Sequence, residues 1–334
     1  MTLVNMQCRL AARPVGLPQP SDWEHVEEDA PEPGENQFRV QVEYVSVDPA
    51  MRGWMNAGRS YVPPVEIGEV MRAGAIGRVI DSRHPDYQVG EQVFGTFGVQ
   101  RYAISDGRGV TRVDTTLAPA SAHLGVLGIS GLTAYFGLLD VGRPEPGQTV
   151  LVSGAAGSVG TVVGQIAKIK GCRAIGIAGG AEKCRWLVEE VGFDAAIDYK
   201  GDDVRAGLRE HAPDGIDVFF DNVGGAVLEE ALRRLARGAR IVLCGAVSQY
   251  NATEAPKGPS NYMQLLVARA SMTGFVIFDY AKRYPEGVAQ LAKWLESGEL
   301  KSYEDVVQGE IADFPETLLR LFRGENVGKL VLAL

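Results

Sequence analysis

The sequence predicts an α/β protein: a small β-barrel or sandwich followed by a doubly wound parallel sheet. Three observations predict it. FRVQVEYVSV, Phe38–Val47, alternates apolar and polar residues with period two, as a half-buried strand does. After Ala120 the texture changes to continuous apolar runs alternating with helical stretches, the pattern of βαβ units. Between the first such strand and helix lies VLVSGAAGSVG, Val150–Gly160, whose glycines have the spacing of a phosphate-binding turn.

In the first part, AGAIGRVIDS, YQVGEQVFG and VQRYAIS follow Phe38–Val47 at short intervals. Each is bounded by Gly, Pro or Asp, so each reads as a short strand. In the second part, TVLVSG is an apolar strand, followed by a helix with Val159, Val162, Val163, Ile166 and Ala167 on one face. RAIGIAG, AAIDY, GIDVFFDNV, ARIVLCGAV and SMTGFVIF are the further strands. AEKCRWLVEEV and AVLEEALRRLA are the further helices. Right-handed crossovers then order them into one sheet. From about Leu300 the chain returns to short strands and ends in GKLVLAL, which is expected to rejoin the first part.

Composition narrows the class of partner. With 334 residues the chain can bury a large core without disulfides or metal. Its 33 basic against 42 acidic residues give a net charge of −9, which excludes a surface for nucleic acid or anionic membrane. Cys8, Cys172, Cys184 and Cys244 form no CxxC pair and read as buried small hydrophobes in a reducing compartment. The N-terminal stretch has no signal-peptide core, and Thr115–Leu139, though uncharged, carries Pro119, His123 and glycines that a spanning helix would avoid. A cytoplasmic protein is expected.

Gly154, Gly157 and Gly160, with Ser158 and Val159 opening the helix, form the candidate pyrophosphate turn. Small residues there allow a tight turn, close approach of backbone to phosphate, and close packing of helix on strand. The helix N-terminus adds unpaired N–H groups and a partial positive charge. An NAD site ends the second strand in Asp or Glu to hold the ribose 2′-hydroxyl. Here that strand ends in Ala178, Gly179 and Gly180, and Lys183 follows within reach of a 2′-phosphate. The pattern selects NADP(H) over NAD(H).

With AAGSVG, GLTAY (131–135), DNVGG (221–225) and ENVGK (325–329) in one chain, the sequence resembles a zinc-independent medium-chain dehydrogenase/reductase. Within that superfamily it is similar to the prostaglandin reductase (leukotriene B4 12-hydroxydehydrogenase) and plant double-bond reductase group, over essentially its whole length. The resemblance implies a GroES-like substrate and catalytic domain over residues 1–120, completed by 299–334, and a Rossmann NADPH-binding domain over 121–298. It implies a homodimer and NADPH-dependent reduction of the double bond of α,β-unsaturated ketones and aldehydes. By position it assigns Lys183 and Tyr199 to the 2′-phosphate, Asn222 and Asn326 to the cofactor, and Thr133 to a cofactor-lining segment. Cys244, at the end of ARIVLCG, completes the candidate cofactor set.

No zinc is expected. The zinc alcohol dehydrogenases of the superfamily carry a Cys early in the barrel and a Gly-His-Glu motif further on. Here Val47 precedes Asp48, no His lies near Glu66 or Glu69, and His25, His84, His123 and His211 lack ligand spacing. A metal-free enzyme must supply another donor where enolate charge develops on the carbonyl oxygen. Tyr250, after the strand ARIVLCG, matches the tyrosine proposed for that role in the family. Asp48 and Arg52, in SVDPAMRGWM, match a family signature and read as structural. Many relatives have an aromatic where this chain has Ala50, so substrate preference does not transfer. Tyr61, Phe275, Phe278 and Tyr280 are candidate apolar walls. Two other readings stay open: an NADPH:quinone oxidoreductase of the same superfamily, and a non-catalytic NADPH-binding protein.

Overall fold

In the computed structural model, which describes residues 3–334, the chain forms two compact units. One runs to Leu124 and resumes at Glu304–Leu334; the other is Gly125–Tyr303.

The first unit opens with an antiparallel ribbon of β1 (Val4–Leu10) and β2 (Trp23–Asp29). Glu24, Glu27, Glu28 and Asp29 line β2, and charges on an outer strand discourage further pairing. β3 (Phe38–Ser46) follows, then the short α1 (Ala50–Trp54), β4 (Ala75–Ser82), β5 (Gln92–Gly95), β6 (Tyr102–Ser105) and β7 (Thr111–Arg112). Phe38, Val40 and Val42 bury the inner face of β3, and a register shift between Val42 and Tyr44 then turns Val45 inward.

The second unit contains α2 (Ile129–Phe136), β8 (Thr149–Ser153), α3 (Ser158–Ile169), β9 (Arg173–Ala178), α4 (Ala181–Trp186) and β10 (Ala195–Asp198). α5 (Val204–His211), β11 (Ile216–Asp221), α6 (Gly225–Leu232), β12 (Leu235–Leu243), α7 (Met263–Ala268), β13 (Ser271–Gly274) and α8 (Tyr284–Glu296) follow. All neighbours pair in parallel, in the order β10-β9-β8-β11-β12-β13. This is the doubly wound order: the direction of winding reverses at β8, and the crevice for a ligand opens at the carboxyl ends of β8 and β11.

Back in the first unit, β14 (Glu304–Gln308), α9 (Phe314–Arg323) and β15 (Lys329–Ala333) close the chain. Every residue of β15 is buried, and it pairs with β3 through Val331 opposite Ser46. The resulting sheet runs β14-β15-β3-β4-β5-β7, with β6 also on β3.

Two local expectations change. The helical pattern AVLEEALRRLA stops at Leu232, because Leu235 already pairs with Ile216 and Arg234 donates to the Ala212 carbonyl at 2.9 Å. SMTGFVIF is a strand only to Gly274; residues 277–283 coil into a tight helical turn that buries Ile277.

Candidate active site

Gly154 ends β8 with φ +59, a conformation that favours glycine. Gly157 caps α3, and its N–H donates to Gly154 O at 3.0 Å. A Cβ on Gly160 would lie 2.4 Å from Gly154 O and 2.7 Å from Ala155 Cα, so the helix packs on the turn with no room for a methyl group. The Ser158 hydroxyl, on the first residue of α3, is buried without a hydrogen-bond partner. An anion at this helix N-terminus would meet the open N–H groups, and Ser158 and Val159 are the first side chains beside it. The turn therefore fits a dinucleotide pyrophosphate.

Around the end of β9 the geometry is equally specific. A Cβ on Gly179 would lie 2.9 Å from Tyr199 Cε1, so the tyrosine ring lies over this glycine. Gly180 has φ +105, and Lys183 is half-buried on α4. Although β9 itself ends without an acid, Asp198 at the end of β10 points its carboxylate at this turn. Its Oδ1 accepts Gly180 N–H at 2.7 Å and Lys200 N–H at 2.9 Å. These backbone bonds hold its carboxyl below the usual carboxylate range.

At the end of β11, Asp221 is fully buried. Its Oδ1 accepts the Ser153 hydroxyl at 2.6 Å and the N–H groups of Val223 and Gly224, each at 3.0 Å. Its Oδ2 is buried without a partner, and burial raises the carboxyl pKa against the effect of those bonds. Asn222 is locked beside it, donating Nδ2–H to Ser153 O at 2.8 Å.

The loop carrying Tyr250 hangs from this turn. Cys244 and Gly245 N–H donate to Asp221 O at 2.9 and 3.1 Å, Val247 N–H to Asn222 O at 3.1 Å, and Ser248 Oγ–H to Val223 O at 2.6 Å. The Tyr250 hydroxyl accepts Ala246 N–H at 3.3 Å and lies 3.0 Å from where a Cβ on Gly245 would be. A Cβ on Gly154 would in turn lie 3.5 Å from Asn222 Cβ. Glycine turn, Asn222 and the Tyr250 loop thus converge at the carboxyl ends of β8, β11 and β12. Burial and the neighbouring Asp221 push the Cys244 thiol up to about 12, so it acts as a neutral packing group.

Other candidates sit elsewhere. Thr133 is buried in α2 and donates its hydroxyl to Ile129 O at 2.6 Å. Asn326, in the first unit, donates to Gly328 O at 3.0 Å. Tyr280 stacks on Phe136 at 4.8 Å and meets Phe275 edge-on at 5.6 Å, a packed ring cluster. Phe278 is 44% exposed. Tyr61, in the first unit, is 54% exposed, with its hydroxyl 3.4 Å from Trp54 Nε1. The sequence pattern gives Asp198, Asp221 and Ser153 no role, although the Asp of IDYK and the Asp of DNVGG each mark a strand end.

Comparison with known proteins places the whole chain in a family. Residues 6–113 match the family described as N-terminal domain of oxidoreductase, and residues 158–294 match zinc-binding dehydrogenase. An NADPH-dependent curcumin reductase of Escherichia coli is 43% identical over 98% of this chain and 96% of its own. The chain belongs to the zinc-independent medium-chain dehydrogenases/reductases. A 2-alkenal reductase (NADP(+)-dependent) of Nicotiana tabacum is 37% identical over 98% of this chain and 97% of its own. CurA from Vibrio vulnificus, solved in complex with NADPH, superposes with a TM-score of 0.93 at 44% identity, covering 98% of each chain. As a medium-chain reductase the chain combines a GroES-like domain with a Rossmann domain. Among the described residues, no group of three or more His, Cys, Asp or Glu converges in a way that could hold a metal.

Proposed function

We propose that this medium-chain reductase uses NADPH to reduce the carbon–carbon double bond of α,β-unsaturated ketones and aldehydes. One observation carries the reading: a phenol hydroxyl, Tyr250, is held at the strand ends beside a glycine turn shaped for a dinucleotide. Bound NADPH supplies the hydride that goes to the β-carbon of the substrate. Gly154, Gly157, Gly160, Ser158 and Val159 receive the pyrophosphate. Gly179, Lys183 and Tyr199 take the 2′-phosphate end. Asn222 and Cys244 stand beside the glycine turn, and Thr133 and Asn326 are assigned to the cofactor by the family resemblance alone. The first unit, expected over 1–120 and 299–334 and observed up to Leu124 and over Glu304–Leu334, serves as the substrate-side domain, and Gly125–Tyr303 as the cofactor domain.

Tyr250 carries the chemistry of the protein side. As charge develops on the substrate carbonyl oxygen, the phenol O–H donates to it. The Ala246 N–H that the same oxygen accepts polarises the phenol and strengthens that donation. Tyr61 in the first unit, and Phe275, Phe278 and Tyr280 in the second, are each proposed as apolar contacts for a substrate.

The second unit's edge supports the reading of a homodimer. β13 is the outer strand of its sheet, and Tyr262, Met263, Leu266 and Val267 nearby are 52–68% exposed. A second copy covering this face would pair the open edge and bury these side chains. The four unpaired cysteines suit the reducing cytoplasm, and no helix of the described residues is long and apolar enough to cross a membrane.

The test follows NADPH absorbance with a short 2-alkenal, a conjugated ketone and a benzoquinone, identifying products by mass and NMR. A saturated carbonyl product supports the reading. Oxidation with the quinone alone overturns it and takes the enolate role from Tyr250.

A further inference from the structure

We propose that Lys200 is a second cation for the 2′-phosphate of NADPH, held in reach of it by Asp198. The inference rests on the cofactor reading above and adds a residue that the motif comparison did not assign.

Its first support is the position of the side chain. A Cβ built on Gly179 would lie 3.0 Å from Lys200 Cε, as close as it would come to Tyr199 Cζ, also at 3.0 Å. Both side chains therefore lean over the glycine at which β9 ends. That is where an adenosine ribose is met in a doubly wound sheet.

The second support is the anchoring of the backbone beneath it. The same Asp198 oxygen accepts Gly180 N–H at 2.7 Å and Lys200 N–H at 2.9 Å. Tyr199 N–H donates to Ala178 O at 3.0 Å. These bonds tie residues 178–180 to residues 198–200, so the base of the Lys200 side chain is fixed relative to the glycine turn. Only its exposed stem must be ordered on binding.

Charge supplies the third. Asp198 and Asp202 share this turn, with Asp202 Oδ2 accepting Asp198 N–H at 3.1 Å. Two carboxylates beside a 2′-phosphate would repel it, and Lys183 alone does not balance them. Lys200 brings a second positive charge to this turn, where Glu182 on the first turn of α4 adds a third carboxylate. Asp198 is the positioning residue: its charge is engaged by backbone N–H groups while it holds the cation in place.

The test measures dissociation constants of NADPH, NADH and 2′,5′-ADP for wild type, Lys200→Gln, Lys200→Arg, Asp198→Ala and Lys183→Ala. Lys200→Gln is expected to weaken NADPH and 2′,5′-ADP roughly threefold to tenfold, the size of an exposed charge-assisted contact. NADH should change less than about twofold, because it lacks the phosphate. The loss should shrink in about 0.5 M salt, which screens exposed charges. Lys200→Arg should retain the NADPH preference, and Asp198→Ala should lower it. A Lys200→Gln protein that loses NADPH and NADH equally, or neither, overturns the inference. If wild type shows no preference for NADPH, the cofactor reading falls and takes this inference with it. A preference that disappears in Lys183→Ala and survives intact in Lys200→Gln removes Lys200 alone.

Discussion

Lys329 Nζ stands 2.6 Å from Asp48 Oδ1 and 3.0 Å from Val47 O, with its side chain only 2% exposed. The Ser46 hydroxyl donates to the other oxygen of the same carboxylate. The turn leaving β3 is thereby fastened to the first residue of β15, 281 positions away. Asp48→Ala would leave a buried ammonium without its counter-charge and should cost about 3–5 kcal/mol. Lys329→Met should cost less, because the Asp48 side chain is 32% exposed and can be hydrated. Urea denaturation of the two variants checks the order. Equal and small losses would show that the pair does not hold the turn.

Lys183→Ala tests the cofactor assignment. Wild type is expected to bind NADPH far more tightly than NADH, and the variant to narrow that gap by roughly tenfold or more. Fluorescence titration with both cofactors reads it. Equal affinities in wild type would defeat the argument drawn from Ala178, Gly179 and Gly180.

Tyr250→Phe removes the O–H and keeps the ring. Turnover of a conjugated ketone should fall by roughly 100-fold, the usual loss for one donor to a developing oxyanion, with NADPH affinity nearly unchanged. Steady-state kinetics beside a binding titration separates the two effects. Unaltered turnover would take Tyr250 out of the mechanism.

Gly160→Ala asks whether close packing at the turn matters. Its methyl group would start 2.4 Å from a backbone oxygen, so α3 must shift. A loss of about 1–3 kcal/mol in stability is expected, with weakened binding of NADPH and NADH alike. Calorimetric unfolding and cofactor titration measure both; a silent substitution would mean that the turn is looser than its geometry.

Burial raises the Asp221 carboxyl pKa. The folded state thus holds this proton more tightly than the unfolded chain does. The favourable contribution is complete below the unfolded value, near pH 4, and is lost as pH rises through the raised folded value. Asp221→Asn cannot ionise, so the stability of wild type minus that of the variant should decline from about pH 4 upward. Urea denaturation across that range reads the difference, and a difference that rises with pH would reverse the assignment.

Much of the site is local and could be read directly. The glycine turn, the missing acid at the end of β9 and Lys183 each sit in a short motif, and Tyr250 is assigned from the family resemblance. The strand at Phe38 shows in its alternation, but the shift that turns Val45 inward does not, since a bulge is decided with the partner strand. The sequence pattern does not predict the ribbon β1–β2 or helices α1, α2, α5, α7, α8 and α9. β2 is mostly charged, so no apolar alternation marks it.

By itself the sequence determined the two textures of the chain, the parallel sheet, the phosphate turn and the choice of NADPH. These rest on backbone propensity, residue size and side-chain charge over a few neighbouring positions. Only the tertiary structure decided what those residues lean on. Asp198 links the turn after β9 to the loop after β10. Asp221 binds Ser153 from 68 positions away and carries the Tyr250 loop on its carbonyl oxygen. Phe275 and Tyr280 join the cluster around Phe136. The physical reason is common to all three: a polar group or ring must find its partner in space. Which partner it finds is set by the order in which strands enter the sheet, and no local pattern records that order.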